Sequence, residues 1–440
     1  MSIDKVDSKS FSYKLLYYAI KLWHHLFYYQ KVEVINRDRI PAKGALLFTP
    51  NHQNALMDAL AVLFSIKRAL VFLARADIFK KKLVAEILYF LRILPVFRPR
   101  DGQGEVKKNL ETFKKTSEVL QKNIGLVIFP EGTHTDKQSL LPLKKGFVKI
   151  ALQTEEANDF KLGIQLIPMA ITYSSYEQCR SVLSINFGHP IDLSPHYEAY
   201  KDHPAKAFNA IRDELSEALK LSMIHIDDDE YYETTEYLMR CFGKKNYKGS
   251  IQNNILIGQS FLKRFNDWRN KNQADHLNLH LQTKEFLKLT KNFNRRQQIK
   301  IHYFSWSSFL LNAFLFLLFA VVLIPAMIVQ LPNYLISNIP ATKIKDHQFH
   351  SSFRFVLGFL MVPLIFLIEL LIFKWIFPEI DGFFFGLIYL FSIILISNTL
   401  SWMRNLWANL KISIYILLHS KEYNKLKQDS KKIMETKGLF

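Results

Sequence analysis

The uncharged run from Ser307 to Gln330 restricts this 440-residue chain more than any other feature. A helix rises 1.5 Å per residue, so roughly 20 mainly apolar residues cross the hydrocarbon core of a bilayer. This run is longer than that, and too long for an ordinary buried core helix. Phe355–Phe373 and Phe383–Ser397 are two further candidates. The first carries Glu369, an acid at membrane depth where charge is costly; a helix would place it near Lys374 or facing a polar cavity. The second is followed by Trp402 and Arg404, residue types that anchor at the membrane interface. We therefore expect transmembrane helices over 306–420 and a basic tail over 421–440. Lys-rich segments on both sides of the apolar region favour one side of the membrane for both, the cytoplasmic side. That requires an even number of crossings. Either Pro325 and Pro332 bend the first segment into a hairpin, or Leu406–Leu418 supplies a fourth crossing.

The remainder is basic and aromatic, with a formal charge of +19, 36 Phe and 19 Tyr. Such charge suits nucleic acid, anionic lipid headgroups or phosphorylated substrates. The basic residues are scattered and flank hydrophobic spans, with no DNA- or RNA-binding pattern, so no nucleic-acid partner is expected. Cys179 and Cys241 stand far apart, giving neither a disulfide framework nor a metal-spaced pair. The first ten residues are polar and the stretch after them mixes Lys and His with Tyr and Leu, which is unlike a secretory signal. Within 1–40, Phe11–Gln30 has apolar and aromatic residues at helical spacing interrupted by Lys14, Lys21, His24 and His25. That pattern predicts an amphipathic helix at the membrane interface.

Over 41–204, short apolar runs alternate with polar helical stretches. Candidate strands are Ala45–Phe48, Ala69–Leu73, Ile93–Phe97, Leu126–Phe129, Gln165–Tyr173 and Val182–Phe187, with helical patterning over Lys81–Arg92 and Glu105–Lys122. This alternation predicts an α/β domain, a mostly parallel sheet with flanking helices. In such sheets ligands sit at the carboxyl ends of strands. Residues 205–305 turn rich in Lys, Asn, Glu and Asp with Leu and Phe at helical intervals, and read as a helical region with solvated charged faces.

Four clusters stand out, three at strand ends and a fourth inside an apolar run. Asn51-His52-Gln53-Asn54-Ala55-Leu56-Met57-Asp58 follows the first candidate strand. A carboxylate that reaches His52 fixes its tautomer and stabilises the imidazolium that forms when it takes a proton. A polar loop capping the next helix has the same composition. Phe129-Pro130-Glu131-Gly132-Thr133-His134-Thr135 offers a glycine turn with hydroxyls, an acid and backbone N–H groups for oxygens. Phe97-Arg98-Pro99-Arg100-Asp101-Gly102 places two guanidinium groups where they suit phosphate. Ile167-Pro168-Met169-Ala170 is a strand with an unusual proline.

In this order the four clusters resemble the blocks of the glycerolipid acyltransferase family, which includes glycerol-3-phosphate and lysophosphatidic acid acyltransferases. NHQNALMD looks like the family's N-H-x4-D, PVFRPRDG its Arg-bearing block, FPEGTHT its F-P-E-G-T-R-S and IPMA its Val-Pro strand. Lys144-Lys145-Gly146 resembles the Lys-x-Gly that follows the third block. The resemblance covers roughly Ile40 to Leu193. Two positions depart from it. Five residues instead of four separate His52 from Asp58, and His134 stands where the family carries Arg. The longer interval resembles a branch of glycerol-3-phosphate and dihydroxyacetone-phosphate acyltransferases with C-terminal membrane helices. The extra residue is expected to be absorbed in the loop before the helix.

The resemblance implies a glycerol-3-phosphate O-acyltransferase-like enzyme that moves a fatty acyl group from acyl-CoA or acyl-carrier protein to glycerol 3-phosphate or dihydroxyacetone phosphate. His52 is then the base and Asp58 its orienter. Arg98, Arg100, Glu131, Gly132, Thr133 and Lys144 are the implied acceptor contacts, with no metal and no cofactor beyond the donor. The alternatives are a lysophosphatidic acid or other lysophospholipid acyltransferase, and a non-catalytic membrane protein that binds lipid. The implied partners are the bilayer, the donor and the acceptor, with an integral membrane protein whose catalytic domain faces the cytoplasm.

Overall fold

The computed structural model describes residues 6, 10–96, 109–135, 137–246 and 250–436. Two compact units result, one of Met1–Met223 with Ala341–Phe353, the other of Ile224–Pro340 with Arg354–Phe440.

The first unit is built on a sheet of β1 (Lys31–Ile35), β2 (Leu46–Pro50), β3 (Leu70–Arg75), β4 (Ile93–Val96), β5 (Gly125–Val127), β6 (Gln165–Tyr173), β7 (Val182–Phe187) and β8 (Ile191–Asp192). The order is β1-β7-β6-β2-β5-β3-β4, with β8 beside β6. β1–β7, β6–β2, β2–β5, β5–β3 and β3–β4 are parallel. Among the described residues only the β6–β7 and β6–β8 pairs are antiparallel. Helices α1 (Phe11–Leu22), α2 (Ala55–Ser65), α3 (Lys82–Phe90), α4 (Asn109–Gln121), α5 (Gly146–Glu156), α6 (Tyr197–Asp202) and α7 (Pro204–Ser222) complete the unit. The mostly parallel α/β architecture follows from continuous apolar strands: a sheet covered on both faces has no solvent side to alternate toward. β2 is buried at every position, as is β5. Leu47, Val71, Leu126, Leu166 and Phe147 share one core with Ile211, Leu215 and Leu219 of α7.

α7 therefore belongs to the sheet unit, and the boundary expected after residue 204 lies at Met223. β1 is a second departure: residues 31–35, expected within the N-terminal helical segment, form an edge strand on β7. The helix before it is real, capped by the Ser10 hydroxyl accepting from Tyr13 N–H, and continues as a π-helical turn over Trp23–Tyr28. Phe11, Leu15, Tyr18, Leu22 and Leu26 form an exposed apolar stripe along it, the face an interfacial helix requires.

The second unit is helical: α8 (Tyr232–Asn246), α9 (Ile251–Lys271), α10 (Gln273–Leu289), α11 (Arg295–Tyr303), α12 (Trp306–Thr342), α13 (His350–Ile376), α14 (Gly382–Leu418) and α15 (Ser420–Met434). Phe261, Phe265, Phe286 and Ile301 pack with Ile412, Tyr423 and Leu426 in its core. Some of the charge expected on solvated faces is paired here: Asp228 takes Arg269 at 2.5 Å, and buried Glu236 takes Arg240 and Arg295. Among the described residues three helices are long and apolar enough to cross a membrane, within Trp306–Thr342, His347–Ile376 and Gly382–Leu418. α12 runs unbroken through Pro325, Pro332 and Pro340, so no hairpin forms at the first two. Leu406–Leu418 is the end of α14 and no separate crossing. Polar side chains join these helices, Asn333 Nδ2 to Tyr389 Oη at 2.8 Å and Gln330 Nε2 to Ser392 Oγ at 2.7 Å. Lys374 donates to the Pro378 and Ile380 carbonyls beyond its helix end, in place of the expected pairing with Glu369.

One glycine has a packing reason. A Cβ at Gly125 would sit 2.6 Å from Phe48 Cε2 and 2.8 Å from Leu70 Cδ2, on the two strands that flank β5. Overfilling a close-packed core costs about 1–3 kcal/mol. Gly125→Ala is expected to lower the thermal midpoint of the detergent-solubilised protein, and an unchanged midpoint would show that the sheet has slack at this position.

Candidate active site

β2 ends in the loop that carries His52, and the loop is tied down before the histidine is reached. Asn51 is fully buried, and its side chain continues the strand pairing where the backbone stops. Its Nδ2 donates to the Ile171 carbonyl at 3.2 Å and its Oδ1 accepts Ile171 N–H at 2.6 Å. Asn51 N–H itself reaches the Met169 carbonyl at 3.2 Å. β6 thus fixes the loop from below through the segment Pro168–Ile171.

Asp58 sits in the first turn of α2 with no exposed surface. Its Oδ2 accepts from His52 Nδ1 at 2.8 Å, Gln53 N–H at 2.7 Å and Asn54 N–H at 2.6 Å, while Oδ1 accepts Tyr173 Oη–H at 2.7 Å. A buried carboxylate is tolerated only when its oxygens are satisfied, and here four donors satisfy them. The amides of Gln53 and Asn54 lie at the N-terminal end of α2, where unpaired N–H groups and the helix dipole favour a negative charge. The additional residue between His52 and Asp58 is accommodated in this loop: Ala55, where the helix begins, takes a left-handed φ of 42°. The charge on Asp58 also lifts the Tyr173 hydroxyl pKa, a shift led by the burial of the ring.

With Nδ1 engaged, Nε2 is the nitrogen of His52 left for an incoming group. The imidazole is stacked on Phe129, ring centroids 4.2 Å apart at 25°, with the His134 ring 5.3 Å away. Burial first, and His52 second, lower the pKa of His134 from its ordinary value. That shift favours the uncharged ring, which presents no counterpart of a permanent guanidinium charge.

The second cluster forms a tight turn after β5. Gly132 N–H bonds the Phe129 carbonyl at 3.1 Å and Gly132 adopts φ +67°, a conformation glycine enters without strain. Glu131 is 1% exposed, and each carboxylate oxygen accepts a backbone amide: Oε1 from His52 at 2.6 Å, Oε2 from Leu141 at 3.0 Å. Its side chain braces the histidine loop, a placement different from the acceptor contact implied by resemblance. Burial pushes its pKa up to about 8, against the two amide bonds that pull the other way. Gly132, Thr133 and Lys144 lie exposed at the same turn, the Lys144 stem 3.4 Å from where a Gly132 Cβ would be. Arg98 and Arg100 fall outside the described residues.

Several site residues escape a sequence reading. Tyr173 closes strand β6 and Tyr176 follows it. Tyr176 Oη–H reaches Gln53 Oε1 at 2.8 Å, and its carbonyl accepts Asn54 Nδ2 at 3.0 Å. Neither tyrosine carries a local signal beyond standing at a strand end. Among the described residues, Glu177, His347 and His350 bring donor atoms within 4.8 Å of one another, the spacing a metal ion would need; His347 Nδ1 lies 3.6 Å from Glu177 Oε1.

Comparison with known proteins places this geometry. The sequence model of the Acyltransferase family matches residues 31–172, the span that holds β1 through β6 and both clusters. A 1-acyl-sn-glycerol-3-phosphate acyltransferase of Cocos nucifera is 32% identical over 29% of this chain and 37% of its own length. Glycerol-3-phosphate O-acyltransferase 2 of Saccharomyces cerevisiae is 31% identical over 25% of this chain and 15% of its own. The chain thus spans well under half the length of these curated relatives. The crystal structure of the 1-acyl-sn-glycerophosphate (LPA) acyltransferase PlsC from Thermotoga maritima aligns with a TM-score of 0.32 and 20% identity, over 50% of this chain and 79% of that one. Residues 31–172 of the chain are a domain of the acyltransferase family.

Proposed function

We propose that the protein transfers a fatty acyl group from acyl-CoA or acyl-carrier protein to a hydroxyl of glycerol 3-phosphate or dihydroxyacetone phosphate, at the membrane in which its product dissolves. The observation that carries this reading is the His52–Asp58 pair at 2.8 Å on a strand end inside an acyltransferase-family domain. Nε2 of His52 takes the proton of the acceptor hydroxyl as its oxygen bonds to the thioester carbonyl carbon. Collapse of that adduct breaks the C–S bond, and the imidazolium returns the proton to the departing thiolate. Asp58 holds Nδ1–H throughout and stabilises the ring while it is charged. The exposed turn Gly132–Thr133 and Lys144, with Arg98 and Arg100, supplies the contacts for the phosphate. Glu131 acts one step back, by holding the His52 amide.

The Lys-rich chain before α12 favours the cytoplasmic side for the catalytic domain, whereas three crossings put the Lys-rich tail on the other side. The acceptor has a second reading, lysophosphatidic acid, favoured by the similarity to the coconut protein.

A positioned general base contributes about 10²–10⁴-fold, so His52→Ala is expected to lose turnover by that factor with the fold intact. Labelled acyl-CoA offered with glycerol 3-phosphate, dihydroxyacetone phosphate and lysophosphatidic acid in parallel measures it. Product from the lysolipid alone moves the reaction to the second acylation, and no product from any acceptor with either donor defeats the reading. Asp58→Asn should cost both turnover and stability. An amide nitrogen in place of either oxygen meets donors instead of acceptors, and each buried group left unpaired costs about 1–3 kcal/mol. Wild-type activity in that variant would remove Asp58 from the mechanism.

Glu131 makes stability depend on pH. Its folded pKa of about 8 lies above the ordinary 4.5, so the folded state holds the proton more tightly and stability falls as pH rises between those two values. Glu131→Gln is expected to flatten that slope, to lose one of the two amide bonds and to reduce turnover. Thermal midpoints over this pH range check it; an unchanged slope would mean that Glu131 is ionised throughout.

A further inference from the structure

The segment Ala341–Phe353, which holds the connection from α12 to α13 and the first turn of α13, belongs to the sheet unit. It lies outside the family-matched residues 31–172. Three contacts seat it on the histidine loop. Ser352 Oγ accepts the Leu56 N–H at 3.2 Å, across 296 positions of sequence. Ser351 Oγ–H donates to the Tyr176 carbonyl, the same oxygen that accepts Asn54 Nδ2. The Phe349 ring meets His134 edge-on, centroids 5.0 Å apart at 81°, and His134 in turn neighbours His52. The far side of the segment is held too, since Tyr28 Oη–H donates to the Ser351 carbonyl at 3.1 Å.

The contact at Leu56 fills a local deficit. The first amides of a helix need acceptors, and the residue before the helix ordinarily supplies one from its side chain. Asn54 stands at that position in α2 and makes no such cap, because its side chain is turned to Tyr176. Two of the open amides, Gln53 and Asn54, are consumed by Asp58. Leu56 N–H is then supplied from a remote part of the chain, in the helix turn that also carries the orienting carboxylate.

We propose that this inter-helix strap is a positioning element of the active site: Ser352, Ser351 and Phe349 hold the loop Gln53–Asp58 and His134 so that His52 keeps its geometry. The strap touches no reacting atom. It sets the angle of α2's first turn and the ring beside the base.

The inference rests on the acyl-transfer reading for its activity arm only, and a second arm needs no substrate. The full-length protein in lipid nanodiscs is compared with Ser352→Ala, Ser352→Thr and Phe349→Ala. In each, the rate at which diethyl pyrocarbonate modifies His52 is followed by peptide mass spectrometry, alongside kcat, KM for the donor and thermal midpoint. Misplacement of catalytic groups by about 1 Å can cost on the order of a hundredfold. The expected result is a kcat lowered about ten- to a hundredfold in Ser352→Ala and in Phe349→Ala. Donor KM should be unchanged, His52 modified several-fold faster, and both restored toward wild type in Ser352→Thr. Unchanged His52 reactivity in both alanine variants overturns the proposal whatever the activity. So does a threonine variant as reactive as the alanine one, since the hydroxyl is then not the link. If the wild type transfers no acyl group to any acceptor, the functional reading falls and the labelling arm still decides the role of the strap.

Discussion

The buried carboxylate of Asp58 is the point on which the catalytic end of the sheet is assembled. Without exposure to water it must find its donors within the protein, and it finds them on two separate pieces of chain. They are the imidazole and two amides of the β2–α2 loop, and the hydroxyl of Tyr173 at the end of β6. Each donor is fixed by what lies behind it. The loop is pinned to β6 through Asn51, and Tyr173 is completely enclosed beside Tyr29. A charge in a poorly polarisable interior strengthens every bond made to it and penalises every bond missed. The histidine's tautomer is therefore a consequence of the packing of the sheet, and Nε2 is the ring nitrogen left for an incoming group.

A second carboxylate, Glu131, stands close behind the first and is handled differently. It takes only two amides, and burial together with the field of Asp58 pushes its pKa up to about 8. Two buried acids in one small region would repel if both were charged. The arrangement separates their tasks: Asp58 meets four donors including the ring, whereas Glu131 ties the backbone of the base to the loop after β5. Burial likewise favours the neutral form of the neighbouring His134, which limits the positive charge beside His52 when its ring is protonated.

Much of this was legible before any coordinates, for particular physical reasons. Parallel strands covered on both faces leave continuous apolar runs, so Gln165–Tyr173 and Val182–Phe187 could be read to the residue. Strand ends in such a sheet collect chemistry, which is why His52, Asp58 and Glu131 were found together. The edge strand Lys31–Ile35 was missed because its alternation of Val with Lys and Glu is short and follows a strong helical signal. α7 was assigned to the wrong unit because its apolar stripe says that it packs and is silent on its partner. Glu131 is an acceptor contact by resemblance, and its bonds to the His52 and Leu141 amides leave no mark in the composition of its block. Tyr173 and the serines of the strap were invisible, because their roles exist only through contacts more than a hundred positions away in sequence.

The cap at Leu56 connects these observations. A helix whose first turn carries a buried, fully bonded carboxylate has its N-terminal amides drawn toward that charge, and its own cap residue is diverted to steady the following loop. The amide left over must be met from outside, and the first turn of α13 meets it with Ser352. Removing that connection would leave the sheet core untouched, since Leu47, Val71 and Leu126 pack without it. What changes is the end of the sheet where α2 begins. The apolar C-terminal third thus carries two separable duties. Its long helices are apolar enough to cross a membrane, and the first turn of one of them completes the hydrogen bonding of the turn that holds Asp58 against His52.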